Sequence, residues 1–432
     1  MPQAALPGFR DFYPQEFAER AHLMRVWRDV ARRFAFVEYD GPPLEPLELY
    51  TRKSGEEIVA QLYTFTDKGG RDVALRPEMT PSFARMVAGR VQTLRKPVRW
   101  FSIPQLFRCE RQQKGRLREH FQLNVDIVGE EDVTADAELL AVAIEVMRAC
   151  GLTSGDVVAR ISDRRMLNAL LAALEINEQH WPVAYAALDK LHREPDEKLS
   201  ARMVTAGVRP DATRSLLEFA RSSSEGKPML LPHSDEADPH LQRIERYLTL
   251  LEAHGVRDWV QPDLSIVRGL DYYTGIVFEM YDRRGEFRAI CGGGRYDDLI
   301  ESVGGPSLPA LGFGMGDVVL TELLRARGLL EVEPAAPDFW IATEDNDLQP
   351  DVIRIAAALR RAGASAEYSL RRQPLARQLR TAGSVGARAV VILKRDRWPA
   401  GRLIVKRMAD GSESEQTLEE LLAGVPSSEN NG

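Results

Sequence analysis

The chain opens with a helical pattern. Between residues 14 and 36, apolar side chains recur every three or four positions, and charged or polar side chains occupy the opposite face. The apolar face consists of Leu23, Met24, Trp27, Val30, Ala31 and Phe34. This pattern predicts an amphipathic helix, followed by an extended segment over residues 39–46.

Strand patterns come next. Short aromatic and β-branched runs between residues 61 and 80 are interrupted by Lys68-Gly69-Gly70, which predicts a hairpin with local antiparallel pairing. Residues 162–255 change to helical patterns separated by polar loops, which indicates a helical insertion. Strand patterns return at residues 264–280 and 287–291, so the first sheet is predicted to resume after the insertion.

A domain boundary is predicted near residue 330. A glycine-containing run over residues 304–316 leads into a predicted helix at 318–330, and the following residues, 330–337, are acidic and contain prolines. Beyond this boundary, strands and helices alternate, which predicts an α/β module with parallel strands. The predicted strands are 339–343, 366–370 and 389–393, and the predicted helices are 350–362 and 375–381.

The composition is typical of a globular protein with two or three domains. The chain has 432 residues, of which 44% are hydrophobic and 28% charged. Because the formal net charge is -7, nucleic acid would have to bind to local basic clusters. Three widely spaced cysteines argue against a disulfide framework and a zinc site. Without a secretory pattern or the roughly 20 apolar residues that span a bilayer, the chain is predicted to be cytoplasmic.

Two groups of polar residues in the N-terminal half are candidates for chemistry. Arg108 and Glu110 would share one face of a strand, and a charged pair in an apolar sheet is costly without a ligand. The basic loop over residues 112–119 suits phosphate or an RNA end. Gln122 and Asp126 would share a face of the returning strand. The alternatives are a surface ion pair between Arg108 and Glu110 and a solvated Asp126.

Two further motifs lie in the second strand-rich part. Arg268 stands beside Tyr272 and Tyr273 on a β-rich apolar run, and it is interpreted as a fixed cation in a ligand site. Residues 291–297 contain three glycines, which let a backbone approach a ligand closely. The sequence has no pair of histidines at helical spacing and no P-loop, which argues against a catalytic zinc and against P-loop nucleotide binding.

Taken together, these motifs resemble those of histidyl-tRNA synthetases, a family of class II aminoacyl-tRNA synthetases. The resemblance extends from Gly8-Phe9-Arg10-Asp11 to about Ala423. It implies an α+β fold in which a class II antiparallel sheet is flanked by helices, with a helical insertion and a C-terminal α/β anticodon-binding domain. The implied parts are a first catalytic segment (1–161), the insertion (162–255), a second catalytic segment (256–330), a linker (331–337), the anticodon-binding domain (338–425) and a polar tail (426–432).

The resemblance also implies roles for individual residues. The catalytic residues would be Arg268 and Arg108, which would contact the histidine carboxylate and the α-phosphate of ATP. The histidine-binding residues would be Glu78, Thr80, Arg108, Gln122, Asp126, Arg268, Tyr272 and Tyr273. The ATP-binding residues would be Arg108, Glu110 and Arg116, with Glu110 at the adenine amino group. The acceptor end of tRNA would contact Gln113, Lys114, Arg116 and Arg118.

The sequence departs from the family pattern at several positions. Asp126 replaces the more usual glutamate, Met79 replaces a frequent glycine, and Gln112 stands where proline is common. The most consequential departure is Val319, because motif 3 usually has an arginine there that contacts the γ-phosphate. We expect Arg116 to share that work with Mg²⁺.

The implied activity is the ATP-dependent ligation of L-histidine to tRNA(His) through a histidyl-adenylate. By resemblance the protein would be a homodimer, with Mg²⁺ bound to ATP and no metal held by protein side chains alone. The predicted anticodon surface consists of Arg371, Arg372, Arg377, Arg380, Lys394, Arg395 and Arg397. Its alternative is a solvated face of mixed charge.

Two other functions stay open at this point. One is a catalytically silent paralogue that regulates ATP phosphoribosyltransferase, the first enzyme of histidine biosynthesis, and the other is a nucleic-acid-binding module without catalysis. The presence of Arg268, Arg108 and Glu110, together with the C-terminal module, favours the ligase. Val319 favours the regulator.

Overall fold

The structure is a computed structural model that describes residues 5–51, 59–110, 115–225, 238–267 and 273–425. The chain divides into two units, Met1–Val332 and Glu333–Gly432. Each unit has its own sheet and its own apolar core. None of the described helices is both long enough and apolar enough to cross a membrane.

A large sheet organises the first unit. The strands of this unit are β1 (Val37–Glu38), β2 (Leu44–Pro46), β3 (Tyr63–Thr66), β4 (Asp72–Leu75), β5 (Val98–Ser102), β6 (Gln105–Phe107), β7 (Glu119–Val128), β8 (Val157–Asp163), β9 (Val260–Pro262), β10 (Ile276–Asp282), β11 (Cys291–Arg295) and β12 (Ala310–Gly316). The strand order in the large sheet is β1, β5, β7, β12, β11, β10, β8, β9, with β6 also paired to β7. Its neighbours are antiparallel except at the two edges, where β1 pairs with β5 and β8 pairs with β9 in parallel.

Helices pack against both faces of this sheet. The helices of the first unit are α1 (Pro14–Arg33), α2 (Glu48–Thr51), α3 (Thr80–Arg90), α4 (Val133–Ala149), α5 (Arg164–Ala173), α6 (Trp181–Asp189), α7 (Asp196–Thr205), α8 (Pro210–Ser224), α9 (Asp238–Ala253), α10 (Leu299–Ser302) and α11 (Asp317–Ala326). The predicted N-terminal helix is confirmed as α1, which buries Leu23 and Trp27 against α4 and the sheet. The side chain of Asp132 caps α4 by accepting a hydrogen bond from the backbone N–H of Thr134.

Strand β7 contributes apolar side chains to one face of the sheet and polar side chains to the other. Its side chains alternate, so Leu123, Val125 and Ile127 join the core beneath α1 and α4. Gln122 and Asn124 point to the other face, where they line a cavity. The position of the polar residues in β7 thus determines which side of the sheet can bind a ligand.

The remaining elements of the first unit include a small antiparallel sheet and a helical segment. Strands β2, β4 and β3 form the small sheet, which confirms the predicted hairpin between residues 61 and 80. Helices α5 to α9 lie between β8 and β9 in the chain, as the helical patterns of residues 162–255 predict. Their apolar faces belong to the same core as the large sheet.

Three strand predictions in the first unit are wrong. The strand predicted at residues 287–291 begins only at Cys291, as β11. Strand β6 ends at Phe107, so Arg108 and Glu110 do not lie on a strand, and their common orientation does not come from strand alternation. The strand predicted over residues 264–280 is also too long, since β10 begins only at Ile276. Residues 264–267 are buried but do not pair with any strand of the sheet. A run of apolar side chains does not distinguish a buried strand from a buried segment without strand pairing.

The second unit is an α/β domain. Its strands are β13 (Phe339–Thr343), β14 (Ala366–Tyr368), β15 (Ala389–Leu393), β16 (Arg402–Arg407) and β17 (Glu413–Thr417), and its helices are α12 (Gln349–Arg361), α13 (Leu375–Ser384) and α14 (Leu418–Ala423). The three predicted strands are parallel, in the order β14, β13, β15. The sheet continues through β16 and β17, which are antiparallel and were not predicted.

Candidate active site

A cavity of about 940 Å³ lies on the face of the large sheet that carries the polar side chains of β7. Strands β7, β11 and β12 contribute to its wall, together with the hairpin between β10 and β11. Of the predicted site residues, those that line it are Glu78, Thr80, Arg108, Glu110, Arg116, Gln122 and Tyr273. Residues up to two hundred positions apart in the sequence therefore meet in one site.

Strand β12 forms a floor of backbone atoms under this cavity. Gly312 and Gly314 pair with Asp126 and Asn124 of β7. A Cβ atom at Gly312 would lie 2.1 Å from Oδ1 of Asp126, and one at Gly314 would lie 1.7 Å from Nε2 of Gln122. A side chain at either position would have to displace a polar side chain of the neighbouring strand.

Asp126 is buried beside the cavity and is not solvated. Its side chain accepts a hydrogen bond at Oδ1 from the hydroxyl group of Tyr296, which lines the cavity. Its second oxygen, Oδ2, has no hydrogen-bond partner among the described residues. Burial raises the pKa of Asp126 to about 7, although the Tyr296 hydrogen bond opposes this shift. Asp126 itself does not form part of the cavity wall, whereas its neighbours Tyr296 and Gly312 do.

Glu78 and Thr80 lie where β4 and α3 are connected. The side chain of Glu78 lines the cavity although the residue is only 5% exposed. Thr80 is the first residue of α3 and also lines the cavity. Tyr273 reaches the same cavity from the segment that precedes β10 and is buried. A carboxylate, a hydroxyl group and a phenol thus contribute to the wall of the site.

Charged residues that follow β6 form another part of the wall. The Nε atom of Arg108 donates a hydrogen bond of 3.0 Å to the carbonyl oxygen of Pro77, the residue that precedes Glu78. Arg116 and Glu110 form an ion pair of 2.7 Å in which the Glu110 side chain is only 10% exposed. The predicted alternative, an ion pair between Arg108 and Glu110, is not formed.

His120 is a site residue that the sequence patterns did not reveal. It lines the cavity from β7, and its Nε2 atom lies 3.1 Å from Oε1 of Gln122. Burial and the nearby charge of Arg108 lower the pKa of His120 to about 3, so the imidazole is neutral at pH 7. Alternation along β7 could have identified it, because His120 shares a face with Gln122. Arg288, Asn124 and Tyr296 also line the cavity and were not predicted as site residues.

Several predicted residues do not lie in this cavity wall or cannot be placed. Arg268, Tyr272, Gln113 and Lys114 lie outside the described residues. Arg118 is described but does not line the cavity. Its guanidinium group donates hydrogen bonds to the backbone oxygens of Glu110 and Pro7.

Comparisons with known proteins agree with this geometry. The chain matches the family model for histidyl-tRNA synthetase over residues 8–317 and the model for an anticodon binding domain over residues 339–427. The histidine–tRNA ligase of Opitutus terrae is 41% identical over 425 residues, which cover 98% of this chain and 97% of that protein. The chloroplastic/mitochondrial histidine–tRNA ligase of Arabidopsis thaliana is 38% identical over 96% of this chain and 85% of its own length.

The fold is also found among solved structures. The crystal structure of histidyl-tRNA synthetase from Nostoc sp. PCC 7120 superimposes with a TM-score of 0.82 over 98% of both chains, at 24% sequence identity. At this identity the superposition shows a common fold, whereas the family follows from the sequence matches. The chain belongs to the histidyl-tRNA synthetase family.

Proposed function

We propose that this protein is a histidine–tRNA ligase, which activates L-histidine with ATP and transfers it to tRNA(His). Family models for a synthetase and for an anticodon-binding domain match consecutive parts of the chain, which is the arrangement that both activities require. The curated relatives named histidine–tRNA ligase align over nearly the whole chain. Their alignment favours the ligase over the regulatory paralogue.

One observation carries the assignment of histidine as the amino acid: the buried carboxylate of Asp126 has an oxygen without a hydrogen-bond partner among the described residues. An imidazole N–H can satisfy such an oxygen, either directly or through a small shift of Tyr296. An apolar amino acid would leave the carboxylate unpaired, at a cost of about 1–3 kcal/mol or more for a charged group. Glu78 and Thr80 are proposed to hold the α-ammonium group of the substrate.

The reaction joins two anions. A carboxylate oxygen of histidine attacks the α-phosphorus of ATP, a new P–O bond forms, and the bond from phosphorus to the oxygen of pyrophosphate breaks. Arg108 is proposed to screen the repulsion between the carboxylate and the α-phosphate, and Arg268 is assigned the same role by resemblance. Glu110 is proposed to accept a hydrogen bond from the adenine amino group, in exchange for its ion pair with Arg116.

Mg²⁺ is proposed to enter the site together with ATP. Within the described part of the chain, no group of three or more His, Cys, Asp or Glu side chains could hold a metal ion. The ion would therefore depend on phosphate oxygens for its binding, and it would neutralise part of the charge of the leaving pyrophosphate.

The tRNA is proposed to contact both units. Its acceptor end would approach the loop that contains Gln113, Lys114 and Arg116, with Arg118 at the end of that loop. The anticodon would bind the second unit, where the side chains of Arg371, Arg372, Arg377 and Arg380 are exposed. Arg395 and Arg397 contribute less free charge because they pair with Asp345, Asp347 and Glu415. We also propose that the protein is a homodimer and acts in the cytoplasm.

A pyrophosphate exchange assay tests the proposal. The wild-type protein should exchange radioactive pyrophosphate into ATP only when histidine is present. Asp126→Asn should raise the KM for histidine at least tenfold while the KM for ATP changes little, because only the imidazole contact is altered. Asp298→Asn changes an exposed aspartate outside the cavity and serves as the matched control. Wild-type protein without any histidine-dependent exchange would favour the regulatory paralogue.

A further inference from the structure

A group of arginines surrounds one end of the cavity. Arg116 follows the loop after β6, Arg193 follows α6, and Arg288 belongs to the hairpin between β10 and β11. Partial desolvation and the positive charges of Arg116 and Arg193 lower the pKa of Arg288, whereas Glu110 opposes this effect. Three cations from separate parts of the chain thus repel one another at the edge of an open cavity, and a polyanion would relieve that repulsion.

Arg288 is the member of this group that is available for a ligand. It is exposed, and its side chain forms no hydrogen bond or ion pair with any described residue. Arg116, by contrast, already forms an ion pair of 2.7 Å with Glu110. A guanidinium group on a hairpin beside the cavity can turn toward phosphate oxygens without first giving up a partner.

The position of Arg288 relates it to Val319. A Cβ atom built on Gly115 would lie 3.4 Å from Cγ2 of Val319 and 3.7 Å from Cδ of Arg288. Both side chains therefore border the same space, and both line the cavity. Val319 is apolar and only 9% exposed, so it offers no charge to an anion there.

This end of the cavity lies away from the proposed histidine end. Gly312 pairs with Asp126, and Gly316 immediately precedes α11, whose third residue is Val319. The two glycines are four positions apart on β12, a separation of roughly 13 Å at the rise of a strand. A ligand that spans the two ends would present its amino-acid portion near Asp126 and its outermost charges near Arg288. Those outermost charges are the terminal phosphates of ATP.

We propose that Arg288 binds the β- and γ-phosphates of ATP and supplies, from the hairpin between β10 and β11, the positive charge that Val319 does not supply. The proposal rests on the proposed function, which makes ATP the substrate. It adds a second cation to the expectation that Arg116 shares this work with Mg²⁺, because Arg116 becomes free for phosphate only after its ion pair with Glu110 opens. The sequence contains this arginine three residues before Cys291 and its run of glycines.

Nucleotide binding to Arg288→Ala tests this assignment. Equilibrium dialysis with ATP, pyrophosphate and AMP should show that the variant binds ATP and pyrophosphate about tenfold more weakly, since charge-assisted contacts of an exposed arginine are lost. AMP lacks the terminal phosphates, so its affinity should not change. Arg284→Ala removes an exposed arginine of the same hairpin that does not line the cavity, and it should bind all three ligands like the wild type.

A second substitution tests whether the side chains at positions 288 and 319 reach the same phosphate-binding space. Val319→Arg in the Arg288→Ala background should restore most of the ATP affinity, because it returns a guanidinium group to the same space. Unchanged ATP binding in Arg288→Ala, or an equal loss for ATP and AMP, would overturn the proposal. Failure of the double variant to recover ATP binding would also contradict it. If dialysis gives the expected pattern but wild type shows no histidine-dependent exchange, Arg288 remains a phosphate ligand and the ligase function fails.

Discussion

Asp126 is the residue on which the proposed amino-acid specificity depends, and its environment also makes stability depend on pH. Burial raises its folded-state pKa to about 7, whereas an unfolded aspartate has a pKa of about 3.9. The folded protein therefore holds a proton that the unfolded chain has already lost. The contribution of Asp126 to the free energy of unfolding should fall as pH rises from about 4 to 7 and should not change further above this range.

Asp126→Asn should remove this pH dependence, because asparagine does not titrate in that range. Relative to wild type, the variant should gain stability between pH 4.5 and pH 8, by up to about 4 kcal/mol at 1.36 kcal/mol per pKa unit. Urea unfolding at several pH values measures the difference. Asp298→Asn, at an exposed position, should follow the wild-type pH curve. Parallel curves for Asp126→Asn and wild type would show that Asp126 is ionised with an ordinary pKa.

A substitution at Gly314 tests whether the space above β12 is needed for activity. Gly314→Ala places a Cβ where Nε2 of Gln122 now lies, 1.7 Å away, so Gln122 must leave its position over β12. We expect histidine-dependent pyrophosphate exchange to fall at least a hundredfold. Gly316→Ala is the matched control, since its Cβ would meet nothing closer than Cδ2 of His120 at 3.8 Å. Similar activities of the two variants would contradict the role of the glycine floor.

For single residues, the sequence predicts which side chains share a face of a strand better than it predicts what surrounds them. Gln122 and Asp126 were correctly placed on one strand, because alternation depends only on spacing. Burial of Asp126 and its bond to Tyr296 could not be predicted, since β7 and Tyr296 are far apart in the chain. Arg288 has no partner in its own segment, and a lone arginine in a hairpin is usually a solvated side chain.

Among the elements, β11 and α4 are joined by a buried ion pair that should matter for folding. Nη2 of Arg295 lies 2.6 Å from Oδ2 of Asp136, and both side chains are almost fully buried, at 1% and 3% exposure. Arg295→Met leaves the carboxylate without its main partner and should lower the free energy of unfolding by about 3–5 kcal/mol. Chemical denaturation followed by circular dichroism measures this change.

Two further variants separate this effect from a general effect of losing an arginine. Arg209→Met removes an exposed ion pair with Glu175 and should cost less than about 1 kcal/mol. Combining Arg295→Met with Asp136→Leu removes both buried charges and should recover much of the lost stability. If Arg295→Met costs no more than Arg209→Met, the buried pair does not anchor β11 to α4.

Helices and strands could be predicted from the sequence where the local hydrophobic pattern matches the side chains that the fold buries. The amphipathic pattern of α1 and the Gly-Gly turn between β3 and β4 are local features, and both predictions are confirmed. Strand β17 has the sequence Glu-Ser-Glu-Gln-Thr, without an apolar residue, so no hydrophobic pattern indicates it. It forms because its backbone pairs with β16, from Arg402↔Thr417 to Lys406↔Glu413.

The whole molecule consists of two units whose proposed roles can be separated. A fragment of residues 1–332 retains the cavity and the complete core of the first unit. It should keep histidine-dependent pyrophosphate exchange within about threefold of the full chain, since every described residue of the cavity wall lies in it. Aminoacylation of tRNA(His) should fall at least a hundredfold, because the anticodon contacts are lost.

The full chain with the four exposed arginines 371, 372, 377 and 380 changed to serine provides a control for this fragment. It keeps both units, and it should also exchange pyrophosphate normally while charging tRNA poorly. Full charging by either protein would place the important tRNA contacts in the first unit. Loss of exchange in the fragment alone would show that the first unit depends on the second for its fold.

The glycine floor of β12 has a consequence for changing the substrate by directed evolution. Because glycine has no side chain, no substitution at Gly312 or Gly314 can widen the cavity, and every one narrows it. Room for a bulkier, non-natural amino acid must come from the side chains around this floor, where Gln122, Tyr273 and Tyr296 have atoms to lose. A library that randomises these three positions and keeps β12 fixed explores the useful variation, whereas randomising β12 mainly yields inactive proteins.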